Sequence, residues 1–253
     1  MPAKKNIRAL TLVELLVSTA IIGILVLLGL PMAWAAYEKG TEAVSVNALR
    51  QLSSAGNLYL GEHNNIYWKY SEPVAEGMQY WFGLDRDGTS VVEGQRTLDM
   101  TCGPLGQYIA QVGGLRMDLS FLEAGSSFKP KYKNTQLAFG YNTLLDGTFS
   151  HPARPLVRAN MLKNCTKLVV FATSAQINTF QAPATPKHPM LEEFYMINDT
   201  EYTVHFRHNG KALAAFADGS VGFLSLDPKN QDTRLPAANI GKLSTTYVTP
   251  VTQ

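Results

Sequence analysis

Glu14 is the first side chain in this 253-residue sequence whose placement suggests chemistry. It opens residues 15–34, a run in which the only polar side chains are Ser18 and Thr19. A carboxylate inside a membrane segment costs about 2.5–3.5 kcal/mol on insertion scales, less near the surface, and usually marks a function. Two further patterns combine residues able to bind or catalyse. His208, nine residues and then Asp218-Gly219 would suit a metal or a catalytic pair if the ends met. A strand over residues 211–217, at about 3.3 Å per residue, would instead hold the two turns about 20 Å or more apart. His208, Asp218 and Gly219 therefore read as structural, turn-capping residues. His205 and His208, three apart on a strand end, point to opposite faces, which weakens a zinc site. Asp85-Arg86-Asp87-Gly88 hints at calcium but lacks the rest of an EF-hand loop, and reads as a turn. Neither Cys102 nor Cys165 lies in a CxxC; outside the cytoplasm they could form one disulfide, and two buried free thiols are the alternative. GxSxG, GxxxxGK[ST], HExxH and GxGxxG are missing, and Gly241-Lys242 is followed by Leu243. No catalytic residue, metal or cofactor is expected.

The elements that must position these groups begin with the apolar run itself. About twenty apolar residues in a helix span a bilayer core. Lys4, Lys5 and Arg8 precede it with no acid among the first nine residues, which places the N-terminus in the cytoplasm and the rest outside. Without those three, 22 basic residues become 19 against 20 acidic, a net of −1, which gives no electrostatic footprint for nucleic acid. A secretory signal peptide ending at Ala33-Trp34-Ala35 would have an unusually long apolar stretch opened by an acid. A plain single-span anchor accounts for everything but Glu14. Pro31 removes a backbone donor and should kink or locally melt the helix, while Gly23 and Gly29 permit close helix approach. Tyr37, Thr41, Val44, Ala48, Leu52, Ala55 and Tyr59 continue at helical spacing, and Gly61 followed by Glu-His-Asn-Asn is a stop signal. A helix over residues 10–60 would be roughly 75 Å long, its outer half packed on a globular domain.

Leader, acid and proline together resemble the class III signal of type IV prepilins and type II secretion pseudopilins. With a cut between Ala9 and Leu10, Glu14 becomes the fifth mature residue and Pro31 the twenty-second, both in the family's register. Ala9 and Leu10 depart from the family's usual Gly and Phe. The resemblance implies a membrane-embedded prepilin peptidase that cleaves after Ala9 and methylates the new amine of Leu10. It also implies that the Glu14 carboxylate of an incoming subunit meets the terminal amine of one already docked. A buried charge left alone is strongly destabilising, so each seeks the other.

Residues 62–253 show short apolar runs broken by Gly, Pro, Asn and Asp, the pattern of strands and loops. Tyr80-Trp81-Phe82-Gly83-Leu84, the Asp-rich turn and Thr89-Ser90-Val91-Val92 read as strand, turn and strand. Gly103 to Ile109 starts a short helix, Phe139-Gly140-Tyr141-Asn142 and residues 168–172 are strands, and residues 182–189 form a loop. Asn209-Gly210 and Asp218-Gly219 are two-residue hairpin turn signals, so residues 202–226 read as a three-stranded antiparallel meander. His208 with Asp218-Gly219, Trp81-Phe82-Gly83, Phe139–Asn142 and the strand near Val169 also resemble the H-x9-DG subclass of prepilin-like proteins.

The expected fold is α+β: a leader over residues 1–9, an N-terminal helix over 10–61 that crosses the membrane over about 12–36, and a β-rich globular domain over 62–253 with an antiparallel sheet packed on the helix. The resemblance implies a structural subunit of an extracytoplasmic filament, a pseudopilin of a type II secretion-like system. A type IV pilus subunit for adhesion, motility or DNA uptake is the alternative, and a membrane-tethered binding protein or enzyme is the rival of another class. Implied partners are copies of itself, other pilin-like subunits, the peptidase, an inner-membrane assembly platform and, before assembly, the bacterial inner membrane. The filament would stand in the periplasm or at the cell surface.

Overall fold

The computed structural model describes residues 11–114, 121, 128–133, 137–146 and 156–252. The chain is α+β, a long N-terminal helix followed by antiparallel and mixed sheets. Its two compact units are Met1–Thr41 and Glu42–Gln253, and helix α1 (Leu12–Glu62) runs through the boundary.

In the first unit α1 starts at a reciprocal cap. The Glu14 amide donates to Thr11 Oγ1 at 3.3 Å, and Glu14 Oε2 accepts from the Thr11 amide at 2.9 Å and its hydroxyl at 2.8 Å. This capping box satisfies orphan donors at the helix start. Ser18 Oγ and Thr19 Oγ1 donate to the carbonyls of Glu14 and Leu16 at 2.7 and 2.9 Å. Pro31 lies inside an uninterrupted helix, so the local melting expected there is not seen. The apolar side chains are exposed, from 49% at Val26 to 77% at Leu12. At the end of the run the Trp34 indole N–H donates to Glu38 Oε1 at 3.1 Å, and the Trp34 and Tyr37 rings lie 6.1 Å apart.

In the second unit the rest of α1 buries Ser45, Ala48, Leu49, Leu52, Ser53, Ala55, Gly56 and Leu60. Of the expected stripe, Ala48, Leu52 and Ala55 are buried; Tyr37 is exposed, and Thr41, Val44 and Tyr59 are intermediate. The face turns toward serine and glycine because small side chains admit the neighbouring rings: a Cβ on Gly56 would meet Trp68 Cη2 at 2.9 Å. The helix stops one residue past Gly61. Asn64 and Asn65 adopt φ of 54° and 58°, and the Asn65 amide donates to the Leu60 carbonyl at 2.9 Å, a left-handed C-terminal cap.

A first antiparallel sheet joins β1 (Ser71–Val74), β2 (Gly77–Tyr80), β3 (Gly83–Asp85) and β4 (Leu98–Asp99) in sequence order. After α2 (Gly106–Gln111) come β5 (Phe128–Lys129), β6 (Phe139–Asn142), β7 (Val169–Thr173), β8 (Gln176–Asn178), β9 (Met190–Glu192) and β10 (Met196–Ile197). The C-terminal elements are β11 (Val204–His205), β12 (Lys211–Phe216), β13 (Val221–Ser225), β14 (Ile240–Gly241) and α3 (Thr245–Val248). The central sheet has the order β10-β6-β7-β12-β13, and smaller sheets are β5-β9-β8 and β11-β14. Pairs β10–β6 and β5–β9 are parallel, so the sheets are mixed, not purely antiparallel. One face of the central sheet packs Phe139, Tyr141, Phe171 and Leu213 with Leu49 and Leu52 of α1. The other packs Ala172, Ala212 and Ala214 with Phe206, Leu243 and Val248. Cover on both faces is why these strands read as continuous apolar runs.

Three readings of the strand pattern are corrected. Tyr80–Leu84 is not one strand: the chain reverses at Trp81-Phe82, both fully buried, and β2 pairs back on β3. Residues 88–90 form a 3₁₀ turn where the return strand was expected. The meander loses its first strand, because β11 pairs with β14 while β12 lies between β7 and β13.

Candidate functional site

The residues expected to act at the N-terminus fall into two sets. Ala9 and Leu10, the cleavage and methylation positions, lie outside the described residues. Glu14 stands at the third helical position of α1, held by Thr11 as above. Sequence reasoning missed this local partner, although Thr-x-x-Glu ahead of an apolar run is its signature. The cap leaves Glu14 ionisable and exposed, oriented by two hydrogen bonds from one residue. What the segment offers is a lone carboxylate at the head of a bare apolar helix. Such a helix has lipid or other helices as its complement, and the carboxylate has a cation.

The H-x9-DG residues sit at the two ends of β12. His208 pairs with Lys211 through reciprocal backbone hydrogen bonds of 3.0 Å, around Asn209 and Gly210 with φ of 51° and 75°. Both central residues are left-handed, as a tight hairpin turn requires. The His208 ring is buried and meets the Phe223 ring edge-on at 5.8 Å. Asp218 caps the other end, its Oδ1 accepting from the Ser220 amide at 2.9 Å and hydroxyl at 2.6 Å. Positive φ falls on Gly219 alone, at 86°. The Gly219 amide donates to the Phe216 carbonyl, and the Phe216 amide to the Ser220 carbonyl, both at 2.9 Å. The turn is thus a three-residue loop with a glycine bulge instead of the two-residue turn expected. With six residues of β12 between them, His208 and Asp218 serve separate turns.

Asp85 and Asp87 likewise fasten loops. Asp85 Oδ1 accepts from the amides of Asp87 and Gly88 at 3.0 and 2.9 Å, and Asp87 Oδ2 accepts from the Thr97 amide at 2.8 Å. The possible Cys102–Cys165 disulfide is not formed. Cys102 Sγ donates to Asp99 Oδ2 at 3.2 Å, and Cys165 Sγ to the Leu162 carbonyl at 3.4 Å. Among the described residues no group of three or more His, Cys, Asp or Glu is arranged to hold a metal ion.

A groove of about 740 Å³ opens beside the end of α1, lined by Tyr59, Glu62, His63, Lys69, Glu72 and Gln79 among others. Within it Lys69 Nζ meets Glu72 Oε2 at 2.7 Å, and Glu62 Oε2 accepts from the Tyr108 hydroxyl at 2.5 Å. The Tyr59 and His63 rings stack at 3.8 Å. The acid most plainly shifted upward is far from such a groove in character: Glu193 is fully buried, and burial pushes its carboxyl up to about 7. Its Oε2 accepts from the Lys131 amide at 3.0 Å.

Residues 4–30 match the family described as the prokaryotic N-terminal methylation motif. No curated protein and no solved structure matches the chain. The motif and the long apolar N-terminal helix, long enough to cross a membrane, fit a type IV pilin-like protein.

Proposed function

We propose that this chain is a structural subunit of an extracytoplasmic pilus-like filament, specifically a pseudopilin of a type II secretion-like system. The observation that carries the reading is Glu14, one acid fixed at the head of an exposed apolar helix inside the matched motif. Cleavage after Ala9 would free the amine of Leu10. In a bundle of such helices that amine and the Glu14 carboxylate of a neighbour are the natural charge partners, since neither tolerates burial alone. Their pairing would set the axial register of subunits, and van der Waals contact between apolar sides would supply the rest. Pro31 deprives the Leu27 carbonyl of its helical donor, which softens α1 for passage from bilayer to bundle.

The globular domain, with its own core, would face the outside. The H-x9-DG pattern favours a pseudopilin; a type IV pilus subunit shares the same physics and remains the second reading. A membrane-tethered binding protein is favoured only by the groove beside α1. We assign the chain no catalytic role. Mass spectrometry of the mature N-terminus separates these readings. A methylated Leu10 supports the filament subunit, an intact Met1 the tether, and a start at Ala36 a secreted protein.

A further inference from the structure

We propose that Trp34 and Tyr37 anchor α1 at the outer headgroup layer of the bilayer and thereby hold Glu14 at the opposite headgroup layer before assembly. The proposal rests on the membrane reading above and adds the depth at which the helix sits. Its ligand is the phospholipid interface.

Trp34 and Tyr37 are 65% and 53% exposed, one turn apart on α1, with rings 6.1 Å apart. An indole or phenol with an apolar body and a polar tip is most stable where hydrocarbon meets headgroups. The Trp34 N–H already points up the helix, donating to Glu38 Oε1 at 3.1 Å. Beyond it come Glu38, Lys39 and Glu42; before it, back to Leu15, no side chain is charged. The polar boundary is therefore sharp.

The distance to the other boundary follows from helix geometry. Twenty residues separate Glu14 from Trp34, about 30 Å at 1.5 Å each, which matches the hydrocarbon thickness of about 30 Å. A tilt of about 20° shortens the span only to about 28 Å. Between the two marks the hydroxyls of Ser18 and Thr19 are taken up by helix carbonyls. If Glu14 sat at mid-membrane instead, Trp34 would stand roughly 15 Å beyond the hydrocarbon, and two turns of bare Leu, Ile and Val would face water. In the proposed register Glu14 stays near water and its Thr11 cap while the subunit waits. It enters apolar surroundings only on joining the bundle, where a partner amine exists.

The test is depth-dependent quenching in the full chain, reconstituted in phosphatidylcholine vesicles that carry a nitroxide at the fifth or the twelfth acyl carbon. Of the three tryptophans, Trp68 and Trp81 are buried in the core, and Trp34→Phe removes the third while keeping an aromatic ring. Wild type minus Trp34→Phe isolates Trp34. We expect at least twofold stronger quenching from the shallow label. In the Trp34→Phe background, Leu15→Trp should also favour the shallow label and Ile24→Trp the deep one. Deep-label preference at Trp34 or at Leu15→Trp overturns the register. So does absence of quenching by either label in protein that floats with the vesicles, while leaving the membrane reading intact. Protein that does not float with the vesicles removes the membrane reading as well.

Discussion

Replacing Glu193 with glutamine should flatten part of the pH dependence of the globular domain's stability. The carboxyl is fully buried, and burial raises it from an ordinary 4.5 to about 7. The sign follows from proton linkage. Below about pH 4.5 the acid is protonated whether folded or unfolded, and contributes no pH dependence. Between 4.5 and 7 the unfolded chain releases its proton while the fold retains it, so stability falls as pH rises. Above about 7 both states are ionised and the penalty is constant. A displacement of about 2.5 pH units, at about 1.4 kcal/mol each, gives a loss of about 3 kcal/mol. For a domain of this size that is about 6–12 °C in melting temperature. Glutamine keeps the shape and the acceptor for the Lys131 amide without the charge. A chain lacking residues 1–35 should fold, because the second unit carries its own core. Urea unfolding of that protein and of its Glu193→Gln variant, from pH 4.5 to 8, makes the comparison. We expect near-equal stability at pH 4.5 and the variant ahead by about 3 kcal/mol at pH 8. Other shifted acids, such as Glu201, act alike in both proteins and cancel. Parallel pH profiles, or a variant less stable than wild type at pH 8, would refute the reasoning.

If the chain assembles as proposed, Glu14→Val should leave the leader cleavable and cripple filament assembly, since it would remove the charge that pairs with the neighbouring amine; normal filament yield by electron microscopy would sink the idea. On the same reading Ala9→Arg should stop maturation, because a peptidase that cuts there would need a small residue; equal conversion to the shorter form on a gel would count against the assigned register. In the soluble domain Asp218→Ala should cost about 1 kcal/mol, the usual size of a lost hydrogen bond, and His208→Ala about 1–2 kcal/mol with its ring contact to Phe223. Chelator should leave the melting temperature of the wild-type domain unchanged, and a large drop restored by calcium or zinc would show that the two turns share an ion after all.

What the sequence exposed was the part of the molecule governed by local rules. Helix α1 was legible because an acid opens its long apolar run and a stripe at helical spacing continues it. The strands Phe139–Asn142 and Val169–Thr173 were legible because burial on both faces makes them uniformly apolar. Pairing was not. Nothing near Val204 indicates that its partner is Gly241, and the parallel match of Met196 with Tyr141 joins segments with long intervening chain. The reversal at Trp81-Phe82 was hidden because turns are expected to be polar, whereas this one is an anchor in the core. At the candidate site Glu14 stood out as a charge in the wrong solvent, but Thr11, an ordinary polar residue beside it, gave no such contrast. The face of α1 was misjudged where serine and glycine replaced larger apolar residues, since hydrophobicity is a poor guide to a contact limited by size.

The two thiols have a bearing on how the domain comes into being. Cys102 and Cys165 each donate to a nearby oxygen and are not joined to one another. Packing, hydrogen bonds and ion pairs, with no covalent tie, hold the domain in its final form. A reductant is therefore expected to leave the melting temperature of the domain unchanged. A domain held in this way is expected to fold equally well in an oxidising and in a reducing compartment.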